Sequence, residues 1–316
     1  MRSFPLVSLV VPFYNEGAAV PVFFEAISHV LTSIDTAAFE IVCVDDGSKD
    51  DTLARLLEAA RSDQRIRIVE LSRNFGKEAA LTAGLDMATG DAVIPMDADL
   101  QDPPELIAGM VEKWQRGADV VLARRIDRNN DSLLKRCTAS LFYKIHNRVS
   151  LTEIPANVGD FRLMNRAAVD ALKRLPERQR FMKGMFAWIG FHTDIIDYVR
   201  PARAAGSSKF TGWKLWNFAL EGFTSFGSVP LRIWTYVGLL GTALSAIYIV
   251  VIVARVLIHG IAVPGYASLL VSILFFGSLQ LLSIGILGEY IGRIYAESKQ
   301  RPVYIVRQHH GGMHES

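Results

Sequence analysis

The sequence is poor in cysteine, in net charge and, over one long stretch, in charge of either sign. Only two cysteines, Cys43 and Cys137, occur in 316 residues, and their surroundings are unrelated. They offer neither a disulfide framework nor a zinc-ligand pattern, which suits a reducing compartment for the soluble part. The net charge is +2, so nothing marks the chain as a nucleic-acid binder. No internal repeat is visible. The start, Met1-Arg2-Ser3-Phe4-Pro5, runs straight into a strand pattern and lacks the layout of a secretory signal. Mechanistic motifs are missing as well. No G-x-G-x-x-G follows the first strand, and G-x-x-x-x-G-K-[ST], G-x-S-x-G and H-E-x-x-H do not occur. These absences set aside a dinucleotide-dependent dehydrogenase, a P-loop nucleotide hydrolase, a nucleophile-elbow hydrolase and a zincin protease.

What the chain has in excess is apolar residues. Half of it is hydrophobic and only 21% is charged, against about 25% in an average soluble chain. The excess is concentrated. Between Ile233 and Gly288 the sole Asp, Glu, Lys or Arg is Arg255. A membrane-crossing helix needs about 20 apolar residues. Two spans are expected, Ile233–Leu257 and Tyr266–Gly288, joined by a short turn that holds Pro264. Arg200, Arg203, Lys209, Lys214 and Arg232 precede the first span, and Arg293, Lys299, Arg301 and Arg307 follow the second. The turn carries no Lys or Arg, so both ends are expected in the cytoplasm. Arg255 sits near the outer end and is expected to snorkel. Ahead of the spans, Trp213, Trp216, Leu220 and Phe223 recur at spacings of three and four, with Lys214, Asn217 and Glu221 between them. That pattern predicts an amphipathic helix at the membrane interface. Gly285, Gly288 and Gly292 line one side of the second span and allow close helix packing.

The first two hundred residues alternate between strand and helix patterns. Val7–Val11, Phe39–Val44, Ile66–Leu71, Ala92–Met96 and Asp119–Ala123 are mostly apolar, strand-like runs. Between them, Val20–Leu31, Thr52–Ser62, Gly76–Ala88 and Pro104–Gln115 have helical character. Such runs predict a mostly parallel sheet covered on both faces. Polar clusters fall at the strands' carboxyl ends, where ligands bind in such sheets: Asn15-Glu16, Asp45-Asp46, Arg73-Asn74, Asp97 to Gln101, and Arg124-Arg125. In an extended segment Asp97, Asp99 and Gln101 would share one face. Two carboxylates and an amide oxygen suit Mg²⁺ or Mn²⁺ that also binds phosphate. Asp102, before Pro103-Pro104, is expected to cap the next helix. Arg136 and Ser140 lie one helical turn apart and can face a single anion. Arg200, Arg203, Ser208 and Lys209 form a second phosphate-attracting group beside the membrane.

The set Pro12-Phe13-Tyr14-Asn15-Glu16, Val44-Asp45-Asp46-Gly47-Ser48 and Asp97-Ala98-Asp99-Leu100-Gln101 resembles the family 2 glycosyltransferases of GT-A fold. The runs Leu71 to Glu78, Gly159 to Leu163 and Ser208 to Phe210 narrow the resemblance to the polyprenyl-phosphate glycosyltransferases. That group includes dolichol-phosphate mannose synthase and, more similar, the bacterial bactoprenol glucosyltransferases. It implies a GT-A domain over 1–210, with a mostly parallel α/β sheet and helices on both faces. An amphipathic segment over 211–231, a two-helix membrane hairpin over 232–290 and a cytoplasmic tail over 291–316 would follow. The tail is polar and expected to be loose from His309 onward.

The resemblance also implies roles. Pro12, Tyr14, Glu16, Asp45, Asp46, Lys77, Asp97 and Arg125 would bind the donor nucleotide, with Arg124 as the alternative to Arg125. Asp97, Asp99 and Gln101 would hold Mg²⁺ or Mn²⁺. Asp160, Asp99 and Arg125 would serve catalysis. Arg136, Ser140, Arg162, Arg203, Ser208 and Lys209 would meet the acceptor phosphate. A phosphate monoester has its second pKa near ~6 and needs little deprotonation, so Asp160 is either a base or a residue that orients Arg162. The expected reaction is an inverting transfer of a hexose, with glucose from UDP-glucose foremost, to undecaprenyl phosphate. It would take place at the cytoplasmic face of a bacterial inner membrane and serve envelope polysaccharide or lipopolysaccharide modification. The resemblance suggests a tetramer. Other sugars stay open: galacturonic acid, N-acetylglucosamine, mannose or an aminoarabinose derivative. A processive synthase is disfavoured, because two spans make no channel and Gln179-Arg180-Phe181 lacks the tryptophan of the Q-x-x-R-W signature. A non-catalytic nucleotide-binding scaffold is disfavoured by the intact Asp97, Asp99 and Gln101.

Overall fold

The computed structural model describes residues 4–126, 158–178, 180, 182–199, scattered positions between 240 and 258, and 265–311. Among the described residues, eight strands form one sheet. In chain order they are β1 (Leu6–Phe13), β2 (Ala38–Asp45), β3 (Ile66–Leu71), β4 (Ala92–Pro95), β5 (Val120–Arg125), β6 (Val158–Asn165), β7 (Thr193–Tyr198) and β8 (Val306–His310). Their spatial order is β7-β5-β6-β4-β1-β2-β3-β8. The β1–β2, β1–β4, β2–β3 and β5–β7 pairs are parallel, whereas β6 runs antiparallel to β4 and β5, and β8 antiparallel to β3. The strands predicted from apolar runs are all present, each within two residues of its expected bounds. The sheet gains β6, β7 and β8, whose sequences alternate or carry charge and so lack a continuous apolar signal.

Seven helices accompany the sheet among the described elements. They are α1 (Ala19–Thr32), α2 (Thr52–Ser62), α3 (Lys77–Met87), α4 (Leu106–Gln115), α5 (Arg166–Lys173), α6 (Met182–Trp188) and α7 (Tyr266–Ser298). One face of the sheet is buried with Phe23, Ile27, Leu56, Ile107 and Met110. The other is buried with Ala80, Ala83, Leu85, Val169, Met182 and Met185. This two-sided burial explains why the central strands are mostly apolar along their length. Helix α3 lies directly on β1: a Cβ on Gly84 would sit 2.2 Å from Val10 Cγ1. Glycine here buys the close approach that brings the amino end of α3 over the strand ends.

Two expectations are corrected. The chain is not loose from His309. Val306–His310 adds an edge strand to β3, with Ile68 opposite His310 and Val69 opposite His309. The buried Glu70 draws it in, accepting from Arg307 Nη1 at 3.1 Å and meeting His310 Nε2 at 3.0 Å. Asp102 does not occupy the cap of α4. Glu105 does, and the Asp102 carboxylate instead accepts the Tyr198 hydroxyl at 2.6 Å, which ties the β4–α4 loop to β7.

Helix α7 contains the expected second span and runs ten residues past it. Its Phe275–Ser298 part has 24 residues, mean hydropathy 1.3 and nothing buried. Among the described residues it is the one helix long and apolar enough to cross a membrane. Its carboxyl end is fastened to the sheet domain. The Glu297 carboxylate accepts the Arg178 N–H at 2.8 Å, Tyr304 donates to Asp86 at 2.8 Å, and the Ser72 N–H meets the Ile305 carbonyl at 2.9 Å. The expected first span, the amphipathic segment and the turn fall mainly outside the described residues.

Candidate active site

The carboxyl ends of β1, β2 and β4 converge on a cavity of about 430 Å³. Pro12, Tyr14, Glu16, Asp46, Asn74, Gly76, Lys77, Asp97 and Asp99 are among its lining residues. Its walls are loops stitched to one another. Asn15, at φ 50°, receives the Lys49 N–H on its side-chain oxygen, and its own N–H donates to Ser48 Oγ at 3.0 Å. The Glu16 N–H donates to Thr52 Oγ1 at 2.9 Å. Gly47 has φ +63°, and a Cβ there would lie 2.4 Å from the Arg73 carbonyl carbon. Glycine is thus required twice over, by conformation and by contact.

The two aspartates after β2 have different surroundings. Asp46 lines the cavity and is saturated: Phe75 N–H, Gly76 N–H and Asn74 Nδ2 donate to it at 2.7, 2.9 and 2.9 Å. Burial nevertheless lifts its pKa above the ordinary value, against the pull of those N–H groups. Asp45 is buried beneath, accepts the Ser48 N–H at 3.2 Å and keeps Oδ1 without a partner.

The acidic end of the cavity is held together by one lysine. Lys77, the first residue of α3, places its ammonium 2.6 and 2.8 Å from the two oxygens of Asp97 and 3.0 Å from Asp160 Oδ2. Burial works against its charge, but Asp97 and then Asp160 outweigh it and raise the pKa. Asp160 comes from β6 because that strand is reversed. Extending the β4–β6 register past Ala92↔Asn165 and Val93↔Met164 brings Asp160 level with Asp97. Burial would raise the Asp160 pKa, yet Lys77, followed by Lys183, carries it below the ordinary range, so it is ionised. Its Oδ1 is buried and unpartnered. Glu16 has its pKa pushed up to about 7 by burial, then by Asp99 and Asp97.

The segment from Asp97 to Gln101 is not extended. It turns at Ala98-Asp99, and Leu100 takes φ 52°. The Gln101 N–H closes the turn on Asp99 Oδ1 at 3.1 Å, and Gln101 is buried at 6% exposure, outside the cavity lining. Asp97 and Asp99 face the cavity together, by a turn rather than by alternation. Among the described residues no group of three or more His, Cys, Asp or Glu converges on one point. The donor set still fits a hard dication. A cation, the Lys77 ammonium, already rests on both oxygens of Asp97, and Mg²⁺-type ions are bound by one or two carboxylates with water and substrate phosphates as the other ligands.

The arginines divide. Arg124 is engaged by Asp197 through two bonds of 2.7 and 2.9 Å across the β5–β7 pair, and Arg125 follows it on the opposite face of β5. Arg162 is 5% exposed, donates to the Gly159 carbonyl at 2.6 Å and stacks at 4.1 Å over the Phe186 ring. Burial brings its pKa down to about 10, with Asp160 opposing, so it stays charged at neutral pH. It lies beneath Asp160 and not on an open surface. Arg136, Ser140, Arg200, Arg203, Ser208 and Lys209 lie outside the described residues.

Two neighbours of the site were given no role from sequence. Asn74 holds Asp46, as above. Glu78 has its pKa pushed up to about 7, by burial and then by Asp160. Asn74 carried two sequence signals, the Arg73-Asn74 cluster after β3 and the Leu71 to Glu78 run, whereas Glu78 had the run alone.

Residues 8–173 match the model of glycosyl transferase family 2, and residues 229–294 match the GtrB C-terminal hairpin. A SfII prophage-derived bactoprenol glucosyl transferase of Shigella flexneri is 54% identical over 306 residues, covering 97% of this chain and 99% of that one. The bactoprenol glucosyl transferase of Shigella phage SfV is 55% identical over 301 residues, covering 95% and 98%. A prophage bactoprenol glucosyl transferase homolog of Escherichia coli K12 is 54% identical over 302 residues, covering 96% and 98%. With a GT-A-like sheet, a carboxylate-lined cavity at its strand ends and these full-length likenesses, the chain is a glycosyltransferase and belongs to glycosyl transferase family 2, in the group that carries the GtrB C-terminal hairpin.

Proposed function

We propose that the protein moves glucose from UDP-glucose to a polyprenyl phosphate of the bactoprenol type, with inversion, at the cytoplasmic face of a bacterial inner membrane. One observation carries this reading. A cavity bearing Asp97, Asp99, Glu16 and Lys77 lies in a chain 54% identical, over nearly its whole length, to a bactoprenol glucosyl transferase. A phosphate oxygen of the lipid attacks C1 of the hexose. The bond from C1 to the diphosphate breaks, and its electron pair leaves on the nucleoside diphosphate. One displacement inverts C1. Tyr14, Glu16 and the loop built on Asp46 bound the donor, and Arg125 meets its phosphates. Asp97 and Asp99 would hold Mg²⁺ or Mn²⁺, which supplies positive charge against the departing diphosphate. Gln101 serves by closing the turn that aims Asp99.

Asp160 has less proton work to do than a usual base. The acceptor is largely a dianion at neutral pH, and Lys77 keeps Asp160 ionised. Positioning of the acceptor by cations should therefore count for more than its deprotonation. Arg162 acts from below, bracing β6 at the Gly159 carbonyl next to Asp160. Arg136, Ser140, Arg203, Ser208 and Lys209 are the proposed contacts of the lipid phosphate, and a GT-A domain over 1–210 is proposed to sit on a hairpin with both ends cytoplasmic. The apolar, exposed surface of α7 supports membrane anchoring, which would leave the lipid tail in the bilayer while its phosphate reaches the cavity.

The test is to mix purified full-length protein, polyprenyl phosphate and Mg²⁺ with a panel of labelled nucleotide sugars. A chloroform-soluble labelled product from UDP-glucose is expected. Product from a different sugar would overturn the choice of glucose, and no product with any sugar would overturn the transfer itself.

A further inference from the structure

Lys77 is placed where a loaded enzyme of this kind needs a cation of another sort. Its ammonium meets both oxygens of Asp97 and one oxygen of Asp160. It thereby bridges β4 and β6, two strands joined through only a short stretch of ladder. Asp97 and Asp160 both rest on this ammonium, which supplies the counter-charge for two carboxylates that face each other across it. The lysine is also able to leave. Its side chain is 46% exposed and enters the cavity from the first turn of α3, after Gly76 at φ +99°. The stem of a lysine is flexible, and its ammonium has no fixed fork geometry to hold it to one partner.

We propose that Lys77 is a tethered cation that occupies the divalent-cation seat on Asp97 in the metal-free enzyme and vacates it for the donor diphosphate on loading. This rests on the metal-dependent reading above and deepens it. The ammonium and the dication compete for one carboxylate. The competition is relieved only when a diphosphate is present to receive the lysine. Cation and nucleotide therefore bind cooperatively, and the empty enzyme keeps its carboxylates organised without a metal. Lys77 is a positioning residue for Asp97 and Asp160 in the empty state and a phosphate ligand in the loaded state.

The test is Mn²⁺ binding by the full-length protein in detergent, followed by electron paramagnetic resonance of the free ion, with and without UDP and with no acceptor or turnover. Wild type is expected to bind Mn²⁺ weakly alone and more tightly with UDP. Lys77→Met is expected to bind Mn²⁺ alone roughly three- to tenfold more tightly than wild type, the size of a half-exposed, doubly bonded ion pair. Its gain on adding UDP should be smaller than the wild-type gain. Lys77→Arg, which keeps the charge, should stay close to wild type without UDP. Mn²⁺ affinity of Lys77→Met equal to or below that of wild type overturns the proposal. So does a wild-type Mn²⁺ affinity that UDP leaves unchanged, a result that needs no variant to fold. Wild type that binds no Mn²⁺ even with UDP would instead overturn the metal-dependent reading, so the two failures are distinguishable.

Discussion

Asp46→Asn probes how the cavity is built, because it changes charge and hydrogen-bonding sense without changing size. Asp46 is 2% exposed and receives three donors, two from backbone and one from Asn74. An asparagine can keep its oxygen toward the Phe75 N–H. Its amide nitrogen then faces the Gly76 N–H and Asn74 Nδ2, so two acceptor contacts become donor-against-donor clashes. Two lost bonds to a charged acceptor would cost about 3–6 kcal/mol at full value. Burial of Asp46, however, already raises its pKa above the ordinary value. Removing the charge returns part of that desolvation cost, which brings the expected loss to about 2–3 kcal/mol. For a domain of this size that corresponds to a fall in melting temperature of roughly 4–12 °C. The loop from Asn74 to Lys77 also loses its anchor, so UDP affinity should fall at least ~10-fold, as a misplaced first turn of α3 would require. Thermal unfolding of the detergent-solubilised protein, followed by intrinsic fluorescence, reads the first effect, and UDP titration reads the second. A variant that melts within about 1 °C of wild type and binds UDP normally would refute the idea that Asp46 organises this loop.

Further outcomes follow from the same geometry. Asp160→Asn should lower the maximal rate while leaving donor binding nearly intact, and Asp99→Asn should abolish transfer. Near-normal turnover by Asp160→Asn beside an inactive Asp99→Asn would remove Asp160 from the chemistry. Glu16 has a folded-state pKa raised from 4.5 to about 7, so folding opposes its ionisation and stability falls as pH rises through that window. Without divalent cations, Glu16→Gln should therefore melt higher than wild type at pH about 8 and no higher at pH about 4.5, and an equal difference at both pH values would contradict the assignment. Ending the chain at residue 302 removes β8, uncovers the β3 edge and strips Glu70 of Arg307 and His310. The truncated protein should melt lower and self-associate as concentration rises, and unchanged light scattering and melting would show that β8 is dispensable.

Much of the site was legible because its residues sit just after strands that the sequence announces. Val7 to Val11, Phe39 to Val44 and Ala92 to Met96 are apolar runs buried on both faces, and Glu16, Asp46, Asp97 and Asp99 follow them directly. Asp160 is different. It lies inside β6, whose residues Val158 to Asn165 mix glycine, aspartate, arginine and apolar groups, and its motif was the only guide to it. Arg162, two residues on, could be seen as a phosphate ligand, but not as the buried group that stacks on Phe186. Gln101 looked like a third ligand because strand alternation puts it on the face of Asp97 and Asp99, and the left-handed Leu100 breaks that alternation. His309 and His310 looked like a polar end because nothing local signals an edge strand, whose partner is more than two hundred residues away.

The sequence alone determined the class of protein: a mostly parallel α/β sheet, acidic clusters at its strand ends and an uncharged stretch long enough to enter a membrane. These depend on local periodicity and composition, which need no partner. The tertiary structure decided the antiparallel course of β6 that sets Asp160 level with Asp97, the bridge that Lys77 makes between them, the return of β8 to β3, and the saturation of Asp46. Each depends on which distant segments meet. Pairing register and loop contacts are settled by global packing, so no window of the chain carries them.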